Sequence, residues 1–134
     1  HMGATVDAFK ATHQTVVGLL EQIDSTGEQQ RVDALNSLKE VLLAHVGEEN
    51  NIILEAMDKP GAEGTFKPSA QRFMAELGDI AQIALLPFFD KYSSSKAVDS
   101  DDFANDFGGI KSALADRIAF EEGRFYPELE KLGF

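Results

Sequence analysis

Apolar residues recur every three or four positions along four stretches of this 134-residue chain, and this spacing constrains its fold more than any other feature. It places the apolar side chains of each stretch on one face of an α-helix. The stretches cover about residues 5–24, 28–57, 68–87 and 101–127, and none shows strand-like alternation. Four amphipathic helices joined by short connections predict an all-α fold, an antiparallel up-and-down four-helix bundle.

Turn-forming residues mark the ends of these helices. Residues 25–29 contain two overlapping capping boxes, which predict where the second helix begins. The third helix is expected to start near Pro68, because proline suits the first turn. Pro87 is expected to kink or end that helix, and Pro127 is expected to kink the fourth.

The composition narrows the possible partners and compartments. A net charge of −11 argues against nucleic acid and anionic membranes, because both require clustered Lys and Arg. The absence of cysteine excludes disulfides, thiolate metal sites and thiol catalysis. No apolar run reaches the roughly 18 residues of a membrane span, and no signal peptide is visible, so a cytoplasmic location is expected. Residues 3–134 are predicted to form one domain, with His1-Met2 a cloning remnant.

Five ionisable residues interrupt the apolar faces of these helices. They are His13, His45, Glu49, Arg117 and Glu121. Burying such groups costs about several kcal/mol each unless they are paired or bind a metal ion. His45 and Glu49 are four residues apart, so both can reach the same point, and the fourth helix repeats this spacing. Between the expected helix ends, however, His13 and His45 are offset by about 9 Å along the axis. The first connection is therefore expected to run to residue 30 or beyond.

Three segments resemble the hemerythrin-like (HHE cation-binding) family. "FKATHQTVVGLL" places a histidine on the first helix, "HVGEE" places the H-x-x-x-E motif on the second, and "RIAFEEGRFYP" is similar to the fourth-helix motif H-x-x-x-E-E-x-x-F-Y-P. The resemblance implies a four-helix bundle in which these motifs bind two irons. Two residues depart from the pattern: Leu77 and Arg117 stand where the family has histidines.

The departures reduce the metal capacity that the resemblance implies. In the family, helices 3 and 4 supply one iron, and this site loses its histidines here. The other site keeps two imidazoles and two carboxylates, a set that can hold one Fe²⁺, Zn²⁺ or Mn²⁺. The resemblance thus implies at most one divalent metal ion, with iron favoured by the family, and the ligands His13, His45, Glu49 and Glu121.

Arg117 is predicted to take the place of the lost metal by pairing with Glu49, Glu121 or both. Glu48 and Glu122 fall off the apolar faces and are predicted to be solvated. Tyr126 is predicted to cap the bundle, and a hydrogen bond donated near the site is the alternative.

Two classes of function follow. The first is a sensory, binding or regulatory module whose partner is a metal ion or a small diatomic ligand. The alternative is a metal-free helical bundle that serves as a protein-interaction module. A mononuclear metalloenzyme ranks lowest, because no substrate cleft can be identified from the sequence.

Overall fold

A computed structural model describes residues 3–134 of the chain, and the expected cloning remnant at residues 1–2 lies outside them. These residues are helical and contain no strand. The helices are α1 Ala4–Asp24, α2 Glu28–Met57, α3 Phe66–Asp79, α4 Leu86–Lys91, α5 Ser95–Val98, α6 Phe103–Phe120 and α7 Tyr126–Lys131. Two π-helical segments, with backbone hydrogen bonds between residues five apart, cover Ile80–Leu85 and Glu121–Phe125.

The chain forms four long rods, because each π segment joins the helices on either side of it without a break. α1 and α2 are the first two rods; residues 66–91 form rod 3 and residues 103–131 form rod 4. The predicted antiparallel four-helix bundle is therefore confirmed. Among the described helices, none combines the length and hydrophobicity that crossing a membrane requires.

Both internal prolines follow a π segment. Pro87 comes shortly after Ile80–Leu85, and Pro127 shortly after Glu121–Phe125, and the rods continue past both. An internal proline normally disrupts the preceding helical turn, because it lacks an N–H group and its ring collides with a carbonyl. Here that turn is already widened, so Pro87 does not end its helix.

The α1–α2 connection is shorter than expected and is capped differently. The hydroxyls of Ser25 and Thr26 donate to the carbonyl of Gln22, at 3.3 and 2.8 Å, so they close α1 and do not cap α2. The predicted capping boxes are therefore wrong. The first N–H of α2, on Glu28, is instead 3.3 Å from Oδ1 of Asp99, which a distant part of the chain supplies.

The expected offset does not keep His13 and His45 apart, because their Nε2 atoms lie 3.1 Å from each other. Nε of Arg31 donates to the carbonyl of Ile23 at 3.0 Å, which ties the start of α2 to the end of α1. Helical side chains lean toward the N-terminus, so in antiparallel helices the two imidazoles lean toward each other. The expected extension of the loop to residue 30 is wrong, because α2 starts at Glu28.

The core has two apolar halves with a polar layer between them. One half contains Val16, Leu38, Phe88 and Phe107, and the other contains Phe9, Ile53, Phe73 and Leu129. We call the buried ionisable residues between these halves the polar layer: His13, His45, Glu49, Arg117 and Glu121.

Candidate metal centre

Four side chains of the polar layer converge on one point. They are His13 from α1, His45 and Glu49 from α2, and Glu121 from rod 4, and their ligand atoms lie within 4.8 Å of one another. Nε2 of His13 is 3.1 Å from Nε2 of His45 and 2.9 Å from Oε1 of Glu121. Nε2 of His45 is 3.4 Å from Oε1 of Glu49. The layer therefore presents two imidazole nitrogens and two carboxylates to a shared space.

Rod 3 brings aliphatic side chains to this level of the bundle. Leu77 and Ile80 face the same cavity as the four converging residues. Neither can coordinate a cation. The site is thus built from three rods and is apolar on its fourth side.

Glu122 supports the site from outside the layer. Its Oε2 lies 2.6 Å from Nδ1 of His13, and its side chain is 31 % exposed. The prediction of a solvated Glu122 is wrong, whereas Glu48 is exposed as predicted. A carboxylate on Nδ1 fixes the tautomer of an imidazole and directs its other nitrogen. For His13, that nitrogen points toward Glu121 and His45.

Tyr126 lies inside the site, which favours the predicted alternative, a hydrogen bond donated near the site, over a cap of the bundle. Its fully buried hydroxyl is 2.7 Å from Oε2 of Glu49 and 2.9 Å from Oε1 of Glu121. The same oxygen lies 3.2 Å from Nε2 of His13. One hydroxyl carries one proton, so it donates to one carboxylate, and its remaining close contacts require protons held by its neighbours.

The second π segment brings Tyr126 into the layer. In an α-helix, two side chains five residues apart point about 140° away from each other. Glu121 and Tyr126 are five residues apart, yet their side chains touch, because the Glu121–Phe125 segment is π-helical. The 3.6-residue period of an α-helix would place Tyr126 on a different face of rod 4 from Glu121.

Arg117 points inward and engages one of the two carboxylates. Its Nε donates to Oε2 of Glu121 at 3.0 Å, and its Nη2 donates to the carbonyl of Phe73 at 3.1 Å. The guanidinium carbon lies 3.9 Å from the centre of the Phe73 ring. Of its two predicted partners, Glu49 and Glu121, Arg117 thus contacts Glu121. Glu121 accepts from Arg117 on one oxygen and faces His13 and Tyr126 with the other.

Burial and hydrogen bonding shift the pKa values of the layer in opposite directions. Burial disfavours a charge on His45, but the neighbouring carboxylates of Glu121 and Glu49 outweigh it and raise the pKa of His45 to about 9. The pKa of His13 is also raised, because Glu121 and Glu122 outweigh its burial. Burial raises the pKa of Glu49, whereas the histidines hold the pKa of Glu121 below its ordinary value despite burial. Burial and both carboxylates raise the pKa of Tyr126.

One oxygen of the site provides a test of whether a cation fits. Oε1 of Glu49 is buried and accepts no hydrogen bond from any described residue, although Nε2 of His45 lies 3.4 Å away. Buried polar atoms without a partner are rare and call for an explanation. Divalent cations bind carboxylate oxygen and imidazole nitrogen, so the residues present fit a metal ion.

A small cavity adjoins the converging side chains. Its volume is about 30 Å³, and both Leu77 and Arg117 line it. The other lining residues outside the candidate ligands are aliphatic: Val16, Leu42, Val46, Ile80, Leu85, Leu114 and Ile118. A space of this size accommodates a water-sized molecule.

A helical bundle with a buried layer of histidines and glutamates defines a class of cation-binding domain. Residues 4–129 match the family model described as "Hemerythrin HHE cation binding domain". Because the match covers most of the chain, the protein belongs to that family. No curated protein and no solved structure matches the chain.

Proposed function

We propose that the polar layer binds one divalent metal ion through His13, His45, Glu49 and Glu121. The observation that supports this most is the convergence of their four ligand atoms within 4.8 Å. Ligands at about 2.0–2.2 Å from a common ion lie roughly 3–4 Å from one another. Most of the contacts between these atoms already fall in that range, so small side-chain movements complete the site.

Two features of the neighbouring space favour one ion over two. Leu77 offers no ligand atom, and the guanidinium of Arg117 lies against Glu121. That guanidinium supplies the positive charge that a second cation would supply, and it stays charged at all relevant pH values.

The family favours iron, and the ligand set also suits zinc and manganese. When bound, such an ion supplies a coordination position for a small ligand. The aliphatic cavity of about 30 Å³ has the size and polarity for a diatomic molecule and is too small for an organic substrate. We therefore propose a sensory, binding or regulatory module and not an enzyme.

Metal analysis of protein purified without chelator tests the proposal. About one equivalent of metal per chain is expected. His45→Ala and Glu49→Ala should each reduce the bound metal and the melting temperature together, because binding stabilises the folded state. Glu48→Ala, which removes an exposed carboxylate beside Glu49, should change neither.

The alternative is a metal-free bundle that binds a protein partner. The contacts that Arg117 and Tyr126 make with Glu121 favour it, because they satisfy much of the layer without an ion. No bound metal after reconstitution with Fe²⁺, Zn²⁺ or Mn²⁺ would select this alternative.

A further inference from the structure

A cleft of about 370 Å³ opens on the outer surface, where the start of α3 meets the end of rod 4. None of the four candidate metal ligands lines it. Small-molecule sites in proteins have volumes of about 300–1,000 Å³. The cleft is therefore large enough for a small organic ligand, unlike the cavity beside the polar layer.

Aromatic rings form the wall of this cleft. The rings of Phe73 and Phe125 are stacked with their centres 4.0 Å apart, and each is stacked with a further ring, Phe120 and Phe66 respectively, at 6.2 and 6.0 Å. Phe120 is 38 % exposed, although it is a large apolar side chain. The other three rings are buried, so Phe120 is the ring of this wall that is open to solvent.

Two arginines without internal partners stand in the same cleft. Arg72 and Arg124 are exposed, and neither forms a hydrogen bond or ion pair with any residue of the described range 3–134. The chain has two other arginines. Arg31 donates to two backbone carbonyls, and Arg117 donates to Glu121 and to a carbonyl. Arg72 and Arg124, which line the cleft, are therefore the two arginines that bond to no other residue in the described part of the chain.

The glutamates that could neutralise these arginines are engaged with other cations. Glu76 and Glu128 follow the two cleft arginines by four residues, the spacing of a helical ion pair. However, Oε2 of Glu76 lies 3.8 Å from Nη1 of Arg117, and Oε1 of Glu128 accepts from Lys131 at 3.2 Å. Two guanidinium groups thus remain free in a protein whose net charge is −11.

We propose that this cleft binds a small aromatic carboxylate, with its ring against Phe120 and its carboxylate between Arg72 and Arg124. A guanidinium donates two parallel hydrogen bonds to a carboxylate, so a pair of arginines recognises this group better than lysines would. Aromatic rings add an offset-stacking contribution to the apolar contact. Glu76 and Glu128 also line the cleft, and their pairing with Arg117 and Lys131 reduces their repulsion of the same ligand.

Titration with 1-naphthoate tests the proposal, because the chain has no tryptophan to interfere with naphthalene fluorescence. We expect saturable binding of one molecule per chain. Arg72→Gln and Arg124→Gln should each weaken it about tenfold or more, since each removes a charged hydrogen-bond donor. Phe120→Ala should also weaken it.

The matched control is Lys96→Gln, which removes the same charge from an exposed side chain on α5. It should change the affinity by less than about twofold. The uncharged 1-naphthalenemethanol should bind at least about tenfold more weakly than 1-naphthoate. Equal melting temperatures of the variants will show that their folds are intact. The proposal is overturned by an absence of saturable binding, by equal binding of the uncharged compound, or by an equal effect of Lys96→Gln.

Discussion

Nδ1 of His13 lies 2.6 Å from Oε2 of Glu122, the shortest contact between a histidine and a carboxylate among the described residues. The contact fixes which imidazole nitrogen carries the outer proton. Nε2 of His13 is thereby directed toward His45 and Glu121. Glu122 thus orients a candidate ligand without facing the site itself.

Glu122→Ala should lower the metal affinity about 10–100-fold, because outer partners of ligating histidines typically contribute this much. Metal titration with a competing chelator measures the change. Glu48→Ala is the matched control, since it removes an equal charge from an exposed position next to a candidate ligand. Equal metal affinities of the two variants would show that the His13–Glu122 contact does not orient His13 for metal binding.

Arg117→Leu should destabilise the metal-free protein at neutral pH by about 3–5 kcal/mol, because it leaves a buried carboxylate without its partner. The pKa of Glu121 lies below its ordinary value, so Glu121 is charged at that pH. In acid, protonation of Glu121 removes the unpaired charge, and the difference from the wild type should shrink. Urea unfolding at several pH values measures both effects.

Lys111→Leu provides the comparison for Arg117→Leu. It removes a cation from the same helix, but the Lys111–Asp24 pair is exposed. Its loss should cost less than about 1 kcal/mol. A similar loss in both variants would contradict a special role for Arg117 in the layer.

The metal-free protein should lose stability as the pH rises from about 6.5 toward 9. The folded-state pKa of His45, about 9, exceeds its ordinary value of 6.5, so its contribution is complete below 6.5 and is lost as pH passes through 9. The contribution amounts to at most about 3 kcal/mol. Thermal melting across this range measures it, and His45→Gln should flatten the curve. An equally steep curve in His45→Gln would assign the effect to another group.

Tyr126→Phe should destabilise the metal-free protein by about 1–3 kcal/mol, because it removes a buried hydroxyl that contacts both Glu49 and Glu121 and donates to one of them. Tyr92→Phe is a matched control, since the hydroxyl of Tyr92 donates to Asp106 at 2.5 Å nearer the surface. Water can replace that donor, so the control should lose less. Chemical denaturation of both variants compares their free energies of unfolding directly, and equal losses would argue against a larger contribution from the buried hydroxyl of Tyr126.

Periodicity predicts the bundle and the polar layer because both depend on the same 3.6-residue repeat. All five ionisable residues that the repeat places on apolar faces are buried. The repeat fails after the second π segment, where it assigns Tyr126 to a different face of rod 4 from Glu121. Local sequence does not report a change from α to π hydrogen bonding, which depends on packing around the prolines.

The sequence pattern also does not predict contacts between distant segments of the chain. Asp99 caps α2 across 71 residues, and Glu122 meets His13 across 109. Such pairs depend on how the rods are aligned in three dimensions. The residues of the predicted capping boxes have suitable spacing, yet the hydroxyls of Ser25 and Thr26 donate to the carbonyl of Gln22 near the end of α1.

A π segment is equivalent to an α-helix with one extra residue in a single turn. The side chains of rod 4 therefore follow one helical register up to Phe120 and a second register from Tyr126. The second register is rotated about the helix axis by about 100°. A one-residue insertion is enough to create this rotation. The position of the Tyr126 hydroxyl at the centre of this bundle thus depends on the length of one helical turn.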